Sequence, residues 1–182
     1  CMRSSGNIYN ISLMASVLEV AGTEGAANWA KGVASNFARD PQSNDTGQIR
    51  AVASGECKVS IANTYYIGRL LASGKPEDKA VIDGIRIVFP NQSDRGTHVN
   101  ISGAGVVASA PNKENAIKFI EYLTSDEAQR IFAEGNNEYP VIGEATGPIS
   151  TLGSFTEDQI SASILGIRQK EAVELFDQAG WL

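Results

Sequence analysis

The stretch Val59-Ser60-Ile61-Ala62-Asn63-Thr64-Tyr65-Tyr66-Ile67-Gly68-Arg69-Leu70 governs how this chain is read. A short apolar run, Cys57 to Ala62, has the length and composition of a strand, and the spacing predicts a helix over Thr64–Ala72. Two phenols stand at the junction. A phenol is a poor general base at neutral pH, because its ordinary pKa is about 10. A cation of high charge density can hold phenols as phenolates, since a bound ion inverts the local proton-affinity logic. Fe(III) is the biological ion that most often takes a tyrosinate. The pair therefore separates an iron-binding module from an ordinary α/β domain.

Spacing adds detail around the pair. On a helix starting near Thr64, Arg69 lies four residues after Tyr65 and three after Tyr66, one turn above both phenols. A guanidinium there, together with the positive end of the helix dipole, favours the charged form of a phenol. The competing arrangement packs one tyrosine in the core, turns the other to solvent and pairs Arg69 with a carboxylate. Spacing alone does not separate the two. Tyr9 sits in a second junction, Arg3-Ser4-Ser5-Gly6-Asn7-Ile8-Tyr9-Asn10, a loop of small residues opening a helix. Loops that follow strands in open α/β sheets converge where ligands bind. The same loop is equally readable as a cap or as an anion cradle.

The rest of the chain alternates helical and strand-like runs. Ile11, Met14, Val17 and Leu18 give a helix over Ile8–Val20, ended by Gly22. Thr23 and Glu24 open the next, carrying Ala27, Trp29, Ala30, Val33 and Phe37. Residues 40–45 read as a loop, with Asp45 or Thr46 capping a short helix closed by Gly55. Pro76 is placed to open another. Strands are expected at 57–62, 85–89, 97–101 and 104–108, with 138–141 extended. Asn112–Leu123 reads as an amphipathic helix with Ala116, Phe119, Ile120 and Leu123 inward. Ser125 caps a helix through Ile131 and Phe132 that Gly135 ends, and a last helix covers about 167–178. This alternation argues an α/β fold with a mixed or parallel sheet.

Bulk properties narrow the function. A net charge of −6 over 182 residues argues against nucleic acid, which wants clustered Lys and Arg. No apolar run approaches the length of a membrane span. No Ser/His/Asp or Cys/His set has a local signature, so an enzyme is the weakest reading. His98 on a Thr-His-Val-Asn-Ile run reads as a hydrogen-bonded structural imidazole. Cys1 and Cys57 fit no zinc spacing; a disulfide and two buried thiols both stay open. The opening Cys-Met-Arg shows no secretory pattern and reads as the tail of a strand whose beginning is missing, in preference to a lipid-bearing first residue.

Several strings resemble one family, the periplasmic ferric-iron-binding proteins of bacterial iron(III) ABC transporters. They are the segment from Arg3 to Asn10, Asn63-Thr64-Tyr65-Tyr66-Ile67-Gly68-Arg69-Leu70, Arg95 to Gly105, and Asn137-Glu138-Tyr139-Pro140-Val141. The Ile67-Gly68-Arg69 continuation resembles the cyanobacterial branch. The resemblance implies a class II periplasmic-binding-protein fold of two lobes with mixed sheets, lacking an N-terminal segment. It places residues 1–95 and 147–182 in the C-terminal lobe, and 96–146 in the returning part of the N-terminal lobe. It implies Tyr9, Tyr65 and Tyr66 as iron ligands, Arg69 behind them, and His98 and Tyr139 as structural. It further implies Fe(III) as cargo with no catalytic cofactor, an inner-membrane ABC permease as partner, a monomer and a periplasmic location. A same-fold protein for phosphate, thiamine, a polyamine or another small solute is the alternative.

Overall fold

The computed structural model describes residues 1–42 and 44–182. Of the loop expected at 40–45, Ser43 lies outside the described residues. The chain forms two compact units. The first comprises Cys1–Asn63, Ala80–Asn100 and Ser154–Leu182; the second comprises Thr64–Lys79 and Ile101–Gly153. The sequence reading drew its boundaries instead after residues 95 and 146.

The first unit is built on α1 (Ile8–Ala34) packed against α7 (Ala162–Ala179). Gly22, at φ 69°, breaks the helical path inside α1, which is why the sequence reads as two helices there. Asn7 caps α1, its Oδ1 accepting from the backbone N–H groups of Tyr9 and Asn10. The apolar faces bury Met14, Ala15, Leu18, Ala26 and Ala30 against Ala172, Leu175, Phe176 and Trp181. α7 ends on Gly180 at φ 70°, and the Trp181 N–H returns to the Phe176 carbonyl at 3.1 Å. That closing turn drops the fully buried Trp181 ring onto Phe176, Phe37 and Trp29, with centroid distances of 4.7, 5.1 and 6.0 Å. α2 (Asp45–Ala53) also belongs here. Its cap is Asn44, one residue before the expected Asp45 or Thr46; Asp45 is the buried first residue of the helix.

The second unit contains α3 (Thr64–Ala72), α5 (Lys113–Leu123), α6 (Asp126–Asn136) and a 3-10 helix at Gly147–Leu152. α4 (Pro76–Asp83) contains the 79/80 boundary between the units. Ile67 and Leu70 of α3 are buried, and α3 packs on the 3-10 helix, whose Ile149 is fully buried. Ser125 caps α6 as expected, accepting from the Ala128 N–H. Its end differs from expectation: the helix passes Gly135 and closes on Asn137, held in the left-handed region at φ 60°. Asn tolerates that region better than most side chains, so no glycine is needed. Of the inward face expected for α5, Ala116, Ile120 and Leu123 are half-buried, and Phe119 is the correction. Phe119 is 60% exposed and no α5 residue is buried, because α5 meets α6 without a second layer to cover that face.

The expected mixed sheets are not seen. Among the described residues no run forms a strand, and the only β-type pairing is a parallel bridge between Thr97 and Glu157. Thr97 N–H donates to the Thr156 carbonyl at 2.8 Å and Asp158 N–H to the Thr97 carbonyl at 2.9 Å. Strand identity depends on a ladder partner. The β-branched residues of the expected strands, Val59, Val88 and Val107 among them, stand mostly exposed without one. Gly96, at φ 88°, permits the bridge: a Cβ there would lie 2.6 Å from the Glu157 carbonyl carbon. A polar cluster secures it. Arg95 Nη1 donates to Asp158 Oδ2 and to Ser16 Oγ of α1, each at 2.6 Å.

Candidate metal centre

α3 sets its tyrosines by what it buries. Ile67, Gly68 and Leu70 face inward, and Gly68 allows an unusually close approach. A Cβ on Gly68 would lie 2.5 Å from the Cβ of Asn137. With that face fixed, Tyr65 and Tyr66 are both half-buried at the opening of the helix and Arg69 is exposed one turn on. The rings lie together, with centroids 4.2 Å apart and planes inclined by 32°. The Arg69 guanidinium covers both, 4.8 Å from the Tyr65 ring and 5.4 Å from the Tyr66 ring. This differs from a pair split between core and solvent, and no carboxylate pairs with Arg69 among the described residues. A guanidinium on two ring faces is an attractive cation–π arrangement. The same charge compensates the phenols if they become anions.

Tyr9 opens α1 in the first unit and is half-buried. It also has a guanidinium beside it: Arg3 Cζ lies 5.9 Å from the ring centroid. Arg3 is anchored to Asp45 Oδ2 at 2.5 Å, and Asp45 is almost fully buried. Sequence reasoning missed Arg3, which lies six residues before Tyr9 across a loop, where no helical or strand period relates the two.

The other singled-out residues take quieter roles. His98 Nε2 lies 3.0 Å from Ser12 Oγ. Burial holds its pKa below the usual value; Asp158 and a hydrogen bond to Asn100 oppose the shift and Arg95 adds to it. Burial thus favours the neutral imidazole, with Ser12 within hydrogen-bonding distance. Burial pushes the Tyr139 phenol above its ordinary value, which keeps it protonated. The Cys1 and Cys57 sulfurs meet, with Cα atoms 5.7 Å apart, inside the range a disulfide spans. Among the described residues no three of His, Cys, Asp and Glu gather as a metal-binding group.

The phenols of Tyr9, Tyr65 and Tyr66 each have a guanidinium group beside the ring. Residues 3–150 match the family of bacterial extracellular solute-binding proteins, and the chain belongs to that family, which is one of binding proteins and not of enzymes. The chain is 50% identical over 182 residues to iron uptake protein A1 of Synechocystis sp., covering 99% of this chain and 51% of that protein. The structure of a Trichodesmium protein (IdiA, FutA) in complex with iron and citrate ligands superposes with a TM-score of 0.94 at 54% identity. It covers 99% of this chain and 58% of that one. A ferric binding protein from Campylobacter jejuni gives a TM-score of 0.91 at 40% identity, over 100% of this chain and 58% of that one. The chain thus spans about half the length of the curated relative, and over that span has the fold of these iron-binding proteins.

Proposed function

We propose that the protein binds Fe(III) through the phenolates of Tyr65, Tyr66 and Tyr9, and that it works as a monomer in the periplasm, delivering iron to an ABC permease in the inner membrane. The observation that carries this reading is the close, tilted Tyr65–Tyr66 pair under the Arg69 guanidinium. Two half-buried phenols at a helix start face the positive dipole end and a cation, both of which favour the anionic form that a hard trivalent ion takes. The names of its relatives, which are iron-uptake and ferric-binding proteins, support the same cargo. Arg69 offsets the excess negative charge of the loaded site. Cys1 and Cys57 close as a disulfide, which suits an oxidising compartment.

The test is visible absorption after adding ferric nitrilotriacetate to the intact protein. A tyrosinate-to-iron charge-transfer band should appear, and Tyr65→Phe or Tyr66→Phe should each weaken and shift it. No band, or a band untouched by both substitutions, overturns the reading. Calorimetry with phosphate, thiamine and a polyamine tests the solute alternative; tight heat-releasing binding of one of them, with none of iron, would replace it.

A further inference from the structure

We propose that Arg3 and Asp45 form a charge-compensated couple that positions Tyr9, with the guanidinium over the ring, 5.9 Å from its centroid, and Asp45 holding it there. The inference deepens the proposed function and rests on Tyr9 being an iron ligand. Three observations carry it. The backbone on both sides of the couple is already fixed. The Arg3 carbonyl accepts from Trp181 Nε1 and from Asn10 Nδ2, each at 2.9 Å, and the Tyr9 N–H is capped by Asn7. The couple therefore acts at this junction on side-chain orientation and not on the path of the backbone. Second, Arg3 Nη1 is committed to the buried Asp45 at 2.5 Å, which pins the guanidinium 5.9 Å from the Tyr9 ring. Third, Arg3 Nε is buried without an acceptor among the described residues. The guanidinium does not take the orientation that would satisfy every donor; it takes one that leaves it beside the ring.

The contrast with Arg69 assigns the role. Arg69 is exposed, has no carboxylate partner among the described residues and covers two rings. It brings a net positive charge. Arg3 is half-buried and its charge is cancelled by Asp45, so its effect on Tyr9 is one of orientation. A phenol held in one rotamer binds a metal without losing that rotational freedom on binding, and the loss otherwise slows capture or speeds release. Arg3 is accordingly a positioning residue.

The experiment uses the intact protein loaded from ferric nitrilotriacetate. Iron release to excess EDTA is followed at the charge-transfer band, and thermal unfolding of the apo form is measured alongside. Arg3→Lys keeps the partner of Asp45 but loses the flat face. Arg3→Ala removes both. The pair Arg3→Met with Asp45→Asn replaces the couple by neutral groups of similar volume that still cover the ring. Release should quicken about two- to tenfold in Arg3→Lys and Arg3→Ala, with a shifted band maximum, and should return to within about twofold of wild type in the Met/Asn pair. A purely structural role would lower the unfolding temperature without moving release rate or band position, and that result overturns the proposal. If Arg3→Ala does not fold, Arg3→Lys and the Met/Asn pair decide it alone. Tyr9→Phe separates the two levels. If it alters the band and the Arg3 variants do not, the couple falls while the iron reading stands. If it leaves the band unchanged, Tyr9 is no ligand and the couple's role falls with it, while the iron reading, carried by Tyr65 and Tyr66, stands or falls on their own substitutions.

Discussion

Gly68→Ala places a methyl group where the structure has no room. The new Cβ would sit 2.5 Å from the Cβ of Asn137, 3.1 Å from its Cγ and 3.3 Å from its Oδ1. Carbon atoms prefer about 3.5–4.0 Å, so α3 or Asn137 must withdraw by about an ångström. Asn137 cannot do so cheaply: it is 5% exposed and closes α6 in the left-handed region. Overpacking of this kind costs about 1–3 kcal/mol, and three close atoms argue for the upper end. Alanine gains about 1 kcal/mol over glycine inside a helix. The net loss is about 2 kcal/mol, which lowers the unfolding midpoint of a unit of about 70 residues by about 10 °C. Asn137→Gly removes the obstructing side chain and suits the left-handed backbone. In that background Gly68→Ala should be neutral or stabilising, giving a coupling of about 2–3 kcal/mol between two residues 69 positions apart. Calorimetry on the four proteins measures the cycle. The charge-transfer band should weaken in Gly68→Ala and return in the double variant, because α3 carries Tyr65 and Tyr66. A raised midpoint in the single variant, or no rescue in the double, refutes the close approach as the determinant of α3 placement.

Three further outcomes are expected. Arg95→Ala strands the buried Asp158 carboxylate and takes a partner from Ser16, and should cost about 3 kcal/mol in urea unfolding. His98 has a folded-state pKa below its ordinary value, first through burial, so the folded protein prefers the neutral imidazole. That contribution is complete above about pH 6.5 and is lost as pH falls below it towards the folded-state value; His98→Gln should flatten the stability profile over that window. Reducing the Cys1–Cys57 pair opens a loop of sequence separation 56 and should lower stability by at most about 4 kcal/mol, read from urea midpoints with and without dithiothreitol.

Local signals carried much of the architecture into the sequence. Asn63-Thr64 ahead of an apolar i, i+3 pattern marks α3 to the residue, Gly22 marks the break in α1, and Ser125 caps α6. These depend on a few neighbouring residues and on backbone freedom. Readings that depended on a second layer fared worse. The pattern over α5 names a face but not whether anything covers it, and Phe119 stands exposed. The β-branched runs announce strands, yet a ladder needs a partner, and only Thr97–Glu157 is paired among the described residues. At the site, the i, i+3 and i, i+4 relation of Arg69 to the tyrosines was legible because it is helical geometry. Arg3 beside Tyr9 was not, because its place follows from a loop and from Asp45, 42 residues on. Asn137 under Gly68 is equally a product of packing, with no periodic trace.

The aromatic cluster around Trp181 has a spectroscopic consequence. Both tryptophans of the chain, Trp29 and Trp181, lie in the first unit with rings 6.0 Å apart, while Tyr65 and Tyr66 lie in the second. Indole emission is therefore an intrinsic reporter of the first unit. Because Trp181 Nε1 also holds the carbonyl of Arg3, its emission senses the strand of backbone that leads to Tyr9. A change in that emission on adding iron would register the Tyr9 side of binding without any label.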